Sequence, residues 1–317
     1  GLYGQGASEA EAAAFADSNI DSFAAKPANG WTDWKDELFK TGGHQNYQVS
    51  VSGGGQNTQF YSSLSYTKQD GIIQNQGLER FTGNANLTHT FKRLTVQVTS
   101  QFSKMIQKKT NEGTSYDGAV ANYAFFQSPS STPYNEDGSL NNGCGMFGVN
   151  PLYEFQHSSD RATIIKAFNT VKATYNIWDN LNLSEKISYD YMTNTNDVLW
   201  DRYSNNGGPG GVMQRIINRN EQLNTQTQLT YNKAFGEHNI DALLGFETED
   251  NKYAYNYLSG QDYPGDLYEF TNAGSTSADS NIQSYRLTSF LGRVNYDFGG
   301  KYYLSASYRT DGSSRLA

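Results

Sequence analysis

Residues 80–103 read RFTGNANLTHTFKRLTVQVTSQFS, and this stretch decides the fold class. Apolar and polar side chains alternate along it, with one break at Lys92-Arg93. One column of alternate residues is mostly apolar, and the other holds only Thr, Asn, Gln and Ser. The mostly apolar column comprises Phe81, Gly83, Ala85, Leu87, His89 and Phe91, followed by Leu94, Val96, Val98 and Phe102. A two-residue period across a tight break predicts a β-hairpin with one apolar and one polar face.

The polar column is uncharged, unlike the Lys/Glu mixture of an ordinary solvated sheet. Strands with an apolar outside and a polar inside are what a transmembrane β-barrel requires, since its outer face meets lipid and its lumen is hydrated. The alternation recurs along the chain and predicts about ten strands. Short and long connections alternate between them, which is typical of outer-membrane barrels. We therefore predict an all-β, antiparallel transmembrane barrel segment with long extracellular loops at about 106–160, 201–213 and 258–280.

Composition excludes several other classes. The 317 residues are 36% hydrophobic, and no run of ~18 apolar residues predicts a membrane helix. A net charge of −8 argues against nucleic acid, which requires a basic surface. The single Cys144 excludes a disulfide within the chain, and the four scattered histidines predict no metal site. No catalytic constellation is present, so we expect neither an enzyme nor a cofactor.

Residues 1–40 differ from the rest. This region is rich in Ala, Glu and Asp and predicts short helices, with Ser8 capping one and Thr32 or Asp33 another. We divide the chain into this helical lead-in and a partial β-barrel over 41–317. Because the chain begins with Gly, carries no signal peptide and ends after Arg315 in mid-pattern, we expect an internal fragment of a longer protein.

Several phrases together resemble the SusC/RagA class of TonB-dependent outer-membrane transporters of Bacteroidetes. They are QNYQVSVSGG at 45–54, GII at 71–73 followed by Arg80-Phe81, GRVNY at 292–296, RTDGSSR at 309–315, and the segment 31–39 before the first strand. The resemblance implies a barrel of about 22 strands in the bacterial outer membrane, filled by a plug. It also implies a SusD-like surface lipoprotein as a lid, a TonB partner, and a dimer of transporter–lipoprotein pairs. The plug and TonB box are expected before residue 1, and the remaining strands after residue 317.

Candidate ligand contacts follow from the alternation. If Asp241, Glu247 and Glu249 face inward, the same column brings Tyr253, Tyr255 and Tyr257 to the inner wall near the outer mouth. The same counting places Trp200 inside, at the extracellular rim. Aromatic faces there suit stacking on sugars or packing of peptide side chains. Four loop residues are weaker candidates, for ligand or for docking the lid: Tyr116, Phe125, Phe126 and Tyr263. Packing against the plug or neighbouring loops is the alternative for each.

Several functions remain open at this point. The first is TonB-dependent import of a glycan, the main substrate class that the resemblance implies, and import of oligopeptides is its direct competitor. A passive porin is another alternative, although its lumen usually carries rows of opposite charge. A non-membrane all-β binding protein is the last, and there the apolar columns would form a buried core.

Overall fold

A computed structural model describes residues 8–11, 13–15, 30–110, 125–144 and 148–316. Within them, ten strands form one antiparallel sheet in sequence order, each strand paired with its chain neighbours. The strands are β1 (Gly43–Gly54), β2 (Thr58–Asp70), β3 (Gly77–Phe91), β4 (Leu94–Lys109), β5 (Ser158–Trp178), β6 (Leu181–Trp200), β7 (Val212–Phe235), β8 (His238–Gln261), β9 (Ser275–Phe298) and β10 (Tyr302–Ser313). The predicted fold class is confirmed.

The pairing register preserves the two columns that the sequence predicts. It runs without interruption through the β7–β8 and β8–β9 ladders. The β5–β6 ladder shifts only between Asn176 and Trp178, at the turn. Because a shift of one residue would move every side chain to the opposite face, an unbroken register keeps each column on its own face.

The apolar columns are exposed or half-buried along most of the sheet. Val49 is 77% exposed, Leu64 56% and Leu244 63%, although each lies in the middle of a strand. Side chains of this kind are normally buried in a water-soluble domain. Here the column forms a continuous apolar outer face, as expected of a wall that meets hydrocarbon.

The connections alternate in length as predicted, but the strands extend further than the sequence pattern indicates. Short turns follow β1, β3, β5, β7 and β9 at one end, and longer connections follow β2, β4, β6 and β8 at the other. β8 continues to Gln261 and β9 begins at Ser275, inside the predicted loop 258–280. Most side chains on both faces are small or polar there, so the strands continue beyond the apolar–polar alternation that predicts them.

Two short helices lie at the end with the long connections. Helix α1 (Trp34–Leu38) is capped by Asp33, whose side chain accepts the backbone N–H groups of Lys35 and Asp36. Helix α2 (Pro151–His157) precedes β5 and is capped by Asn150. Residues 9–11 and 13–15 are helical, and Ser8 exchanges hydrogen bonds with Glu11 in a capping box. None of the described helices is long and apolar enough to cross a membrane.

A small apolar core joins these helices to the loops. Its buried members are Trp34, Leu38, Ile73, Cys144, Val149 and Leu152. Burial raises the pKa of the Cys144 thiol to about 11, so the thiol is protonated at neutral pH. The core brings together three segments: the one before β1, the β2–β3 connection and the β4–β5 connection. We call these three segments the mouth layer. The segment before β1 is part of this layer because β1 begins at the long-connection end of the sheet.

Candidate functional site

The inner wall is the face opposite the apolar columns, and hydrogen bonds between neighbouring strands cover it. Gln226 Nε2 donates to Glu247 Oε1 at 2.5 Å, and Asn251 Nδ2 donates to Asn220 Oδ1 at 3.2 Å. The Ser188 and Thr170 hydroxyls lie 3.0 Å apart. Neutral amides and hydroxyls of this kind both donate and accept, and charged side chains such as Glu247 and Arg293 lie among them on the wall.

Three tyrosines extend this wall toward the mouth. Tyr253, Tyr255 and Tyr257 lie on the same column of β8 as Glu247, since the register with β7 and β9 has no bulge. The Tyr253 hydroxyl donates to Asn218 Oδ1 at 2.7 Å, which holds the ring against β7. All three side chains are half-buried. The predicted inward placement of these tyrosines agrees with the register.

Trp200 lies on the inner column of β6, where it pairs with Ser158 on one side and Val212 on the other. It lines a cavity of about 640 Å³ beneath helix α2, together with Phe155, Glu154, Asn206 and Val198. The Lys109–Asp160 ion pair, 3.2 Å from nitrogen to oxygen, is also at this cavity. None of the three tyrosines of β8 lines it. The structure therefore gives two separate aromatic positions on one wall.

Helix α2 is tied to the β6–β7 connection through Glu154. This carboxylate is 5% exposed and accepts hydrogen bonds from the Ser204 hydroxyl at 2.7 Å and from the backbone and side chain of Asn205 at 2.9 and 2.8 Å. His157 Nδ1 lies 2.7 Å from Asp201 Oδ2 beside it. The roof of the Trp200 cavity is therefore held in place by charged hydrogen bonds.

Tyr263 is buried in loop packing. It is 3% exposed, and its ring centroid lies 5.1 Å from that of Tyr268. Its backbone N–H donates to the Gly210 carbonyl, and its own carbonyl accepts from Arg202. Burial raises the pKa of its phenol. These contacts agree with the packing alternative, because a ligand or lid could not reach the side chain.

The other loop candidates differ. Phe125 and Phe126 are 69% and 57% exposed. Lys35 Nζ lies 5.8 Å from the centroid of the Phe125 ring, in a cation–π contact. Tyr116 lies outside the described residues. Phe125 and Phe126 are thus accessible to a partner, whereas Tyr263 is not.

Sequence reasoning missed a charged cluster on the inner wall. Arg309 on β10 lies 3.3 Å from Glu247 and 2.9 Å from Asp311, and its guanidinium also donates to the Ser289 hydroxyl at 3.2 Å. A cavity of about 230 Å³ lies over this cluster, with Lys186 on its far side. The sequence predicted that Glu247 lies on the inward column of β8, but its partner Arg309 lies two strands away, on β10. Only the pairing of β8 with β9 and of β9 with β10 brings Arg309 to it.

The described residues contain no group of three or more His, Cys, Asp or Glu side chains able to hold a metal ion. The chemistry of the wall is therefore that of hydrogen bonding, aromatic contact and ion pairs, among them Arg309–Glu247 and Arg293–Asp241.

Comparison with known proteins places this geometry in context. No family model matches the chain. The chain is 28% identical to the TonB-dependent receptor P3 of Formosa agariphila, over 97% of this chain and 32% of that protein. It is 26% identical to the TonB-dependent receptor SusC of Bacteroides thetaiotaomicron, over 90% of this chain and 30% of that protein. The RagAB peptide transporter superposes with a TM-score of 0.80 at 20% identity, over 95% of this chain and 36% of that chain.

The chain is SusC/RagA-like. The predicted resemblance is confirmed, and the ten strands match a segment of an outer-membrane β-barrel. A more distant barrel, the ferric-catecholate import receptor Fiu of E. coli, superposes with a TM-score of 0.53 at 13% identity. The SusC/RagA-like chain spans about a third of the length of the curated relatives it matches.

Proposed function

We propose that this SusC/RagA-like wall forms part of a TonB-dependent importer of oligosaccharides. The observation that carries the proposal is the inner wall, where uncharged amides and hydroxyls lead to aromatic side chains at the mouth. Amides and hydroxyls pair with sugar hydroxyls, and aromatic rings stack on the apolar faces of sugar rings. Trp200 and Tyr253, Tyr255 and Tyr257 are the proposed contacts.

Energy coupling and partners are part of the same proposal. The curated relatives are named TonB-dependent receptors, which supports TonB as the source of energy. A SusD-like surface lipoprotein is the proposed lid, with the exposed Phe125 and Phe126 at its docking surface. A dimer of two transporter–lipoprotein pairs is the proposed assembly. The similar proteins are receptors and transporters, so we do not propose a catalytic role.

Import of oligopeptides is the second candidate. RagAB, one of the structural neighbours, is a peptide transporter. The Lys109–Asp160 pair beside Trp200 also offers both charges that the two ends of a peptide require. A passive porin has less support, because the relatives carry the TonB-dependent name. The non-membrane alternative is not supported, since the apolar columns are exposed and no second sheet covers them in the described part of the chain.

The test is uptake by cells that carry the full-length transporter as their only copy. Purified oligosaccharides and oligopeptides are supplied separately, with and without TonB. We expect saturable oligosaccharide uptake that TonB deletion abolishes. Uptake that persists without TonB would favour the porin, and uptake of peptides alone would favour the second candidate.

Variants of Trp200 and Tyr255 test whether these side chains contact the substrate. Trp200→Ala combined with Tyr255→Ala is expected to weaken the apparent affinity about tenfold, because loss of aromatic contacts costs on the order of 1.4 kcal/mol. The matched Trp200→Phe and Tyr255→Phe variants keep an aromatic face and are expected to retain most of the affinity. Equal uptake by the alanine and phenylalanine variants, at equal amounts in the membrane, would remove these residues from the site.

A further inference from the structure

Two cations face each other on the outside of the barrel, near the mouth. Lys108 on β4 is directly opposite Arg161 on β5 in the ladder. Both lie on the same column as outward apolar residues, Phe102 on β4 and Ile165 on β5, and both are exposed. Lys104 lies four residues before Lys108 on the same face and is also exposed. We call these three residues the basic patch: Lys104, Lys108 and Arg161.

None of the three cations of the basic patch forms an ion pair with a described carboxylate, although Glu79 of β3 lies on the same face, opposite Ile106. Asp197 is opposite Arg161 in the next ladder. Its carboxylate is instead engaged by Arg215 at 2.5 Å. Like charges placed directly opposite each other destabilise a strand pair. An arrangement of this kind is explained if an anion outside the chain lies between the two cations.

The surroundings of the basic patch leave room for such a group. A cavity of about 430 Å³ adjoins Lys108 and Arg161, with Gly77 of β3 opposite Lys108. Lys40 and Lys68 add positive charge to its lining, and Asp70 and Glu79 are its two carboxylates. Four cations thus outnumber two carboxylates here, in a chain whose net charge is −8.

The height of the basic patch identifies the kind of anion. Along β4 and β5 the outward column runs from the short turns through Val98 and Val171, which form part of the apolar band, to Lys108 and Arg161 just below the mouth layer. The short-turn end of an outer-membrane barrel is periplasmic, and the long-connection end is extracellular. The basic patch therefore lies where the apolar band ends on the extracellular side, at the headgroups of the outer leaflet.

We propose that the basic patch binds the phosphate groups of an outer-leaflet glycolipid of the lipid A type. The phosphate oxygens lie between Lys108 and Arg161, with Lys104 reaching the same headgroup from below, while the acyl chains cover the apolar column. Guanidinium and ammonium groups form charge-assisted hydrogen bonds with phosphate. This inference requires only the outer-membrane barrel, and it holds whether or not the barrel imports anything.

The test measures glycolipid bound to the full-length transporter purified in detergent. Native mass spectrometry counts bound molecules when phosphorylated lipid A is added, and dephosphorylated lipid A and inorganic phosphate serve as separate probes. We expect the variant Lys104→Gln/Lys108→Gln/Arg161→Gln to bind phosphorylated lipid A about tenfold more weakly than the unmodified protein. Inorganic phosphate at the same concentration is expected not to displace the lipid.

Two controls separate the basic patch from general charge and from folding. Lys92→Gln/Lys233→Gln/Lys301→Gln removes three positive charges near the short turns and is expected to bind like the unmodified protein. Lys104→Arg/Lys108→Arg/Arg161→Lys keeps the charges and is expected to bind within about twofold, which keeps the test valid if the glutamine variant does not assemble. Equal binding by both glutamine variants, or equal binding of dephosphorylated lipid A, would overturn the proposal. Displacement by inorganic phosphate would assign the patch to a soluble anion and also overturn it.

Discussion

The wall and the mouth layer of this molecule are stabilised in opposite ways. The wall has ten paired strands, yet its apolar side chains are exposed, with Leu64 and Leu244 more than half accessible. The mouth layer is short and irregular, yet Leu38 within it is completely buried. The wall therefore depends on lipid as its apolar surroundings, whereas the mouth layer carries its own core and behaves like a small water-soluble protein.

This difference means that the two regions should respond to different mutations. The effect of a substitution in the wall depends on whether the new side chain faces lipid or the lumen, so the face matters more than the size of the residue. A substitution in the mouth layer changes stability by removing packing contacts or buried hydrogen bonds.

The largest effect is expected from charge on the outer face of the wall. Val98→Lys places an ammonium group on the apolar column and is expected to prevent membrane assembly, at a cost of ~2–4 kcal/mol near the bilayer midplane. Gln97→Lys, one residue away on the inner face, is expected to assemble normally. Heat-modifiable migration on gels reports assembly, and equal damage from both variants would contradict the assignment of faces.

Loss of packing in the mouth layer is expected to be local. Leu38→Ala removes a side chain with no exposed surface and is expected to destabilise the layer by about 3 kcal/mol. Hydrogen exchange should increase at residues 34–38 and 149–157 but not in β7 or β8. Leu64→Ala, on the lipid face, removes a side chain of the same size and should leave exchange in the mouth layer unchanged. Faster exchange spread through the strands would show that the two regions are not independent.

The buried carboxylate of Glu154 provides a smaller effect in the same layer. Glu154→Ala removes the acceptor for Ser204 and Asn205 and is expected to cost about 2 kcal/mol. Limited proteolysis should then cut within 201–211, while the barrel remains folded. Glu136→Ala, in an exposed turn, is the control and should leave the cleavage pattern unchanged. A resistant loop in the Glu154 variant would mean that the contacts of Arg202 hold it without help.

The face of each strand residue was predictable from the sequence and contacts between distant segments were not, for a physical reason. The face of Tyr255 follows from counting by two along β8, because each strand carries its own period. The burial of Tyr263 depends on Arg202, which lies on the β6–β7 connection, and on Tyr268, which lies further along the β8–β9 connection. The contact of Arg309 with Glu247 likewise crosses two strand pairs. Such contacts have no local pattern, whereas the caps at Ser8 and Asp33 do and were predicted.

The smallest effect concerns Glu185, a carboxylate within the apolar band on the outward face of β6. Glu185 lies on the outward column between Leu183 and Ile187, opposite Thr227 of β7. The Thr227 hydroxyl donates to Glu185 Oε2 at 2.5 Å. Thr227→Val keeps the shape of the side chain but removes this donor, and it is expected to cost about 1 kcal/mol. Titration of assembly with urea in lipid bilayers measures it.

A matched double variant shows whether that cost comes from the lipid face. Replacing both partners, as in Glu185→Leu/Thr227→Val, removes the acceptor together with the donor and is expected to restore or exceed the original stability, since no polar atom is left unpaired in hydrocarbon. Thr225→Val, whose hydroxyl partner is the neutral Thr248, is expected to cost less than Thr227→Val. If the double variant were the least stable of the set, Glu185 would contact a polar group outside the chain, and this part of the wall would face a partner rather than lipid.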